Sequence, residues 1–250
     1  MNINPGFQRL ALLTGSGTVA ALSQTRVHVF GLGGVGSWCA EALVRSGVGN
    51  ITLIDFDKVD ISNINRQVEA TSRTIGGLKT EVLAKRLKEI NPDCVVNPVS
   101  TFFSCRDEGI EKTAINFSIP GADYIIDAID SIESKLDLIE SASRFNKTLY
   151  SSMGMARKLD PTRLRTADIW KTSGCPLARR VREGLRKRGF QGNFTVVFSD
   201  EHPQETDEHI SERPEGIKAV MGSVVTVTAT AGMILASLVI RDVSGRRHNE

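Results

Sequence analysis

Residues 31–36 read Gly-Leu-Gly-Gly-Val-Gly, which sets Gly31, Gly33 and Gly36 in a G-x-G-x-x-G spacing with Gly34 beside them. Glycines at these positions allow a tight turn and let backbone N–H groups come close to a phosphate. A helix that opens directly after the turn adds its own unpaired N–H groups and the positive end of its dipole. That context is present: the apolar run Arg26 to Phe30 precedes the loop, and residues 34–46 carry a helical pattern that stops at Gly47. Asp55 ends the next apolar run, Ile51 to Asp55, about 20 residues on, where an acid can hold ribose hydroxyls. A redox enzyme would use the same loop for NAD, so the surrounding residues must say which nucleotide is taken.

The segment from Asp57 to Gln67 reads Asp-Lys-Val-Asp-Ile-Ser-Asn-Ile-Asn-Arg-Gln, a polar cluster for which a NAD site has no need. Asn63 and Arg66 share a face on a helical turn. The planar fork of Arg66 can grip terminal phosphates, and Asn63 and Gln67 can add neutral hydrogen bonds. Lys79 follows Gly76-Gly77-Leu78 in the first turn of a helix, where a cation opposes the dipole and a bound phosphate would reverse that penalty. Asp127 and Asp130 close the apolar run Asp123 to Ile129 at the carboxyl end of a sheet, where ligands of open α/β folds bind. Carboxylates there can hold Mg²⁺ that bridges ATP phosphates. The set describes a triphosphate site. The residues expected to contact ATP are Gly31, Gly33, Gly34, Gly36, Asp55, Asp57, Asn63, Arg66, Gln67, Lys79, Asp127 and Asp130, with either strand-end aspartate able to hold Mg²⁺.

The elements that must position these groups follow from periodicity. Apolar runs at 26–30, 51–55, 95–99, 123–129 and 148–152 alternate with helical patterns at 34–46, 78–90 and 132–145. That alternation predicts an α/β fold: a Rossmann-like, doubly wound, mostly parallel sheet with helices on both faces. After Pro161 the pattern changes, and residues 162–169 and 193–199 alternate polar and apolar as strands of an antiparallel extension do. Pro176 opens a basic helix between them, residues 200–215 form an acidic loop expected to be mobile, and an uncharged helix over 219–240 closes the domain. The expected organisation is an N-terminal helical arm over 1–22, a nucleotide-binding core over 23–160, and a C-terminal extension over 161–250 that completes the same domain.

Composition narrows the class. The cysteines Cys39, Cys94, Cys105 and Cys175 form no C-x-x-C pair, which argues against a tetrathiolate zinc site and a thioredoxin-like motif. Scattered thiols in a chain of this length fit a reducing cytoplasm, and the N-terminus lacks the basic start and apolar run of a signal peptide. Residues 219–240 are long enough to span a bilayer, but Gly222, Ser223, Thr226, Thr228, Thr230, Gly232 and Ser237 make them weakly apolar. A buried helix, with no stable membrane insertion, is expected. A formal charge of +2 decides nothing about partners. Cys175 precedes the proline-started helix, whose dipole could lower a thiol pKa, and His28, inside an apolar run, is expected to be structural.

The motifs at 31–37, 53–57, 62–67, 77–79 and 127–130 resemble the ubiquitin-activating-enzyme-like superfamily of adenylating enzymes over nearly the whole chain. The resemblance implies that Asp55 holds ribose, that Asn63, Arg66 and Lys79 contact phosphates, and that Asp130 binds Mg-ATP. It implies a homodimer in which an N-terminal arginine, here Arg9, reaches the neighbour's site and joins Arg66, Lys79 and Asp130 in catalysis. Sulfur-carrier activators of the superfamily usually hold zinc with paired C-x-x-C motifs, which this chain lacks. Residues 45–49, 125–131 and 176–180 look more like the branch of tRNA threonylcarbamoyladenosine dehydratases. That branch implies ATP-dependent cyclisation of a threonylcarbamoyl group beside the tRNA anticodon through a carboxylate adenylate. The tRNA would meet a basic surface on Arg179, Arg180, Arg182, Arg186, Lys187 and Arg188. The alternative within the superfamily is adenylation of the C-terminus of a ubiquitin-like or sulfur-carrier protein.

Overall fold

The computed structural model describes residues 4–103, 119–205 and 221–245. Seven strands form one sheet in the order β3-β2-β1-β4-β5-β7-β6. They are β1 (Arg26–Phe30), β2 (Asn50–Ile54), β3 (Val95–Val99), β4 (Tyr124–Asp127), β5 (Thr148–Ser152), β6 (Leu164–Asp168) and β7 (Thr195–Ser199). Two short helices, α1 (Gln8–Thr14) and α2 (Ser16–Gln24), precede the sheet. Between and after the strands lie α3 (Gly36–Arg45), α4 (Lys79–Ile90), α5 (Ile132–Arg144), α6 (Pro176–Lys187) and α7 (Val225–Val243).

Every neighbouring pair is parallel except β6 with β7. The antiparallel extension expected over 162–169 and 193–199 is the pair β6 and β7, which run antiparallel to each other. β7 runs parallel to β5, with Ser152 beside Val197, and continues the main sheet, while β6 alone turns back on its edge. The alternation of β7 is the burial of both faces, since Val196, Val197 and Phe198 are all inside, as in a covered parallel sheet. The acidic segment over 200–215 falls mostly outside the described residues. Its start is not loose: Glu201 is buried and its carboxylate accepts from the N–H groups of Leu159 and Asp160.

One core lies between the sheet and α3, α4 and α7, built on Leu43, Leu53, Leu83, Leu87 and Leu235. The other lies under α5 and α6, built on Phe30, Ile125, Leu138, Val181 and Leu185. Helix α7 starts later than its apolar run and is long and apolar enough to cross a membrane by length and composition. Here its residues Val227, Ala231, Leu235 and Val239 are buried. It crosses α3 closely at Gly232, where a Cβ would overlap the carbonyl oxygen of Val35.

His28 sits in the middle of β1, 6% exposed, with no partner for Nδ1 among the described residues. Burial, then the nearby Arg26, pushes its pKa down from 6.5 to about 4. The unfolded chain binds the proton first, so stability is complete above pH 6.5 and falls as pH drops towards 4. By linkage the loss attributable to this residue is about 3 kcal/mol. Thermal unfolding of wild type and His28→Asn at pH 7.5 and 4.5 checks it: the variant should lose less stability between the two pH values.

Candidate functional site

A cavity of about 770 Å³ opens at the carboxyl ends of β2, β1, β4 and β5. The first crossovers lead from β1 outward to β2 and β3, and β4 starts the other half on the opposite side of β1. The cavity thus spans the point where the winding reverses, the place open α/β sheets use for ligands. The registers that pair Phe30 with Ile54 and with Asp127, and Asp127 with Ser151, end these strands level with one another.

The glycine loop divides into packed and open positions. Gly31 has φ 85, its N–H donates to the Ile54 carbonyl at 2.9 Å, and a Cβ would come within 2.7 Å of the Ala128 oxygen. A Cβ at Gly36 would overlap the Gly31 carbonyl, so Gly36 seals the turn and does not line the cavity. Gly33 is open, with only the Gln67 amide nitrogen 4.0 Å from where its Cβ would be. The Asp55 carboxylate braces this turn, accepting from Leu32 N at 2.6 Å and from Asp57 N at 2.8 Å. Each oxygen keeps a further lone pair, and Asp55 lines the cavity.

The polar segment folds over the loop. The Trp38 indole donates to the Arg66 carbonyl at 3.0 Å and ties this segment to α3. Arg66 lines the cavity, its Nη1 bound to the Ser62 carbonyl and the Asn65 side chain. Asn63 accepts from Asp60 N and lines the wall. Gln67 is buried, and its Oε1 has no partner among the described residues. An orphaned buried carbonyl that borders a cavity calls for a donor from a ligand. Lys79 reaches the same wall because Val59 N bonds Gly77 O and Lys79 N bonds Asp57 O, which lays the start of α4 along residues 57–59. Its ammonium is 2.9 Å from the Asp57 carboxylate.

The two strand-end aspartates part company. Asp130 is exposed in the cavity and makes no hydrogen bond or ion pair among the described residues. Asp127 corrects the expectation that it holds ligand: it is fully buried and does not line the cavity. One oxygen is 2.7 Å from the Lys135 ammonium and 2.6 Å from the Ser151 hydroxyl, and the other accepts from Ile129 N at 3.1 Å. It is the last residue of a strand covered on both faces, so its charge is matched from inside.

Sequence reasoning missed a large part of the wall. Residues 153–158 after β5 and the first turn of α6 line the half of the cavity over β4 and β5. At the other end Phe56 and Phe102 form an exposed edge-on pair, centroids 5.0 Å apart. The sole sequence signal was the glycine at 154 between two methionines after an apolar strand. Cys175 is 4% exposed in the wall at the N-cap of α6. Cys105 lies outside the described residues.

The basic helix is less free than its sequence implies. Arg188 is bound by Glu133, Asp137 and Glu140 of α5 at 2.7–2.8 Å. Arg182 donates to the Thr172 hydroxyl, Arg186 lies over the Trp170 ring, and Arg179 faces Glu183 at 3.7 Å. Arg180 and Lys187 have no partner among the described residues. Arg9 is exposed on α1, whose leading Phe7 packs at Gly47 beyond the far end of α3. That places Arg9 at the opposite end of the sheet from the cavity of its own chain.

The chain matches the ThiF family model over residues 7–250. It is 40% identical over 243 residues to a Bacillus subtilis protein named tRNA threonylcarbamoyladenosine dehydratase, covering 94% of this chain and 93% of that one. The protein of the same name from Escherichia coli is 36% identical over 248 residues, covering 92% and 90%. The crystal structure of the E. coli tRNA N6-threonylcarbamoyladenosine dehydratase in complex with ATP superposes with a TM-score of 0.85, at 33% identity, covering 98% of each chain.

Proposed function

This chain belongs to the ThiF family, and from that premise we propose that it uses ATP to dehydrate N6-threonylcarbamoyladenosine in tRNA, as a cytoplasmic homodimer. The observation that carries the reading is the unpaired carboxylate of Asp130, which lines one cavity with the open Gly33, Arg66 and Lys79. Near-complete alignment with relatives named for this reaction supports it.

In this reading Asp55 takes the ribose hydroxyls and the Phe56–Phe102 edge takes the adenine. The backbone at Gly33 and Gly34, the Arg66 fork and Lys79 take the phosphates. Lys79 is held ready by Asp57 and turns to phosphate when ATP arrives. Asp130 fits Mg²⁺, being an exposed carboxylate with no protein cation against it, and the bound ion would offset charge between phosphates. Arg9 of a second copy would complete the site, since it cannot reach the cavity of its own chain.

The chemistry follows from a poor electrophile. The threonyl carboxylate attacks the α-phosphorus of ATP, the bond to the β-phosphate oxygen breaks, and pyrophosphate leaves. The resulting acyl adenylate is attacked by the neighbouring carbamoyl group, a ring closes, and AMP leaves carrying the former carboxylate oxygen. The N–H proton released on closure goes to solvent. Positioning and charge stabilisation are the main tasks of the protein, and the scheme has no need of a covalent protein intermediate. Arg180 and Lys187, with Arg179 beside them, would contact tRNA phosphates.

Mass spectrometry of nucleosides tests the proposal, after incubation of purified protein with Mg-ATP and tRNA that bears the threonylcarbamoyl group. Loss of one water from that nucleoside with stoichiometric AMP is expected. An unchanged nucleoside, with ATP–pyrophosphate exchange only when a sulfur-carrier protein is added, would give the site to the alternative substrate.

A further inference from the structure

The half of the cavity over β2 and β1 accounts for a nucleoside triphosphate. Beyond Asp130, the wall made by residues 153–158 and the first turn of α6 has no assigned part in holding it, yet it is built with care. Met153 and Met155 are buried at 3% and 5% exposure, and Leu177 from α6 closes on Gly154, where a Cβ would sit 3.3 Å from the Leu177 Cβ. This makes a mostly apolar wall of polarisable side chains. The wall is tied down behind: the buried Lys158 donates to the Glu201 carbonyl, and Glu201 in turn accepts from residues 159 and 160.

Two guanidinium groups border this half. Arg157 holds a left-handed backbone, φ 60, with its N–H on the Gly222 carbonyl at 2.8 Å and its Nε on the Gln204 carbonyl at 2.6 Å. A non-glycine residue in that region is strained and persists where its surroundings fix it. Arg180 lies one turn into α6, exposed, and makes no hydrogen bond or ion pair among the described residues. A mostly apolar wall bordered by two cations matches a nucleotide: a flat base with phosphates on either side.

We propose that this second chamber binds the substrate adenine nucleotide swung out of the anticodon loop, with its base on Met153, Met155 and Leu177 and its flanking phosphates on Arg157 and Arg180. The proposal rests on the dehydratase reading above and gives that reading a place for its acceptor. The attacking carboxylate must reach the α-phosphate beside Gly33, so the substituent points towards β1 and the base that carries it lies over β5. A base stacked within a loop cannot reach that depth, and extrusion is the general solution for chemistry on a base.

Two variants test the chamber separately from the ATP half. Leu177→Trp fills it, and Arg180→Ala removes an exposed cation without touching the core, with Lys85→Ala as a control for loss of surface charge. ATP affinity is measured by calorimetry, and dehydration by nucleoside mass spectrometry with modified tRNA. The expected result is unchanged ATP affinity in all three. With tRNA, kcat/KM should fall about tenfold to a hundredfold for Arg180→Ala, the scale of a lost hydrogen bond to a charged group, and at least as far for Leu177→Trp. Wild-type kcat/KM in both variants would overturn the chamber assignment, and so would a parallel loss of ATP affinity in both. If the wild-type protein itself binds ATP but leaves the modified tRNA unchanged, it is the dehydratase reading that fails, and the chamber falls with it.

Discussion

Asp130→Ala is expected to lower the rate of AMP formation by about 10²–10³-fold or more while leaving the fold intact. The magnitude is that of removing one pre-placed electrostatic group from a transition state. The side chain is exposed, ends the turn after β4, and holds nothing in place among the described residues. Its loss should therefore leave stability within about 0.5 kcal/mol of wild type, the usual range for a surface change. Asp130→Asn keeps the shape and removes the charge, so it should behave like alanine in rate and should need more Mg²⁺ for half-maximal turnover. Arg66→Ala should also lose turnover, with no change in the Mg²⁺ requirement. Calorimetric unfolding, with pyrophosphate release measured across a Mg²⁺ titration, decides the matter. Wild-type turnover in a well-folded Asp130→Ala protein would remove the site assignment.

The contrast between Asp130 and Asp127 shows what the sequence could and could not reveal. The loop, its strand and its helix were legible because each has a local cause: glycine for the turn, apolar runs for buried parallel strands, helical spacing after them. Asp55, Asn63, Arg66, Gln67, Lys79 and Asp130 line one cavity because they follow the ends of adjacent strands or the loops behind them. Asp127 looked equivalent to Asp130, but the pairing of Asp127 with Phe30 and Ser151 puts it inside the sheet. Its partner Lys135 comes from the next helix, a tertiary fact that spacing does not record. The same holds for Arg188, whose three carboxylates lie on α5. The direction of β7 was hidden for a related reason: a strand shows its two-residue period, not which neighbour it chooses. The second chamber was invisible because methionine and leucine read as core wherever they stand.

The ion pair beneath the site gives the largest stability effect. Lys135→Met is expected to destabilise the protein by about 3–5 kcal/mol, because it leaves the Asp127 carboxylate buried without its cation. Both side chains are fully inaccessible, and the pair is 2.7 Å apart. At about 2–4 °C per kcal/mol for a chain of this size, the melting temperature should fall roughly 6–20 °C. The Lys135 ammonium also donates to the Ser152 carbonyl at 3.0 Å, so it joins the ends of β4 and β5 directly under the cavity. Asp127 in turn holds Ile129 N, one residue before Asp130. A loosened pair therefore reaches the chemistry through position, and turnover should fall even at temperatures where Lys135→Met is still folded. Adding Asp127→Asn to Lys135→Met should recover part of the stability, since a neutral amide is cheaper to bury than an unmatched carboxylate. A melting temperature for Lys135→Met equal to wild type would show that the pair contributes no ionic attraction, and the link from β4 through Asp127 to Asp130 would lose its physical basis.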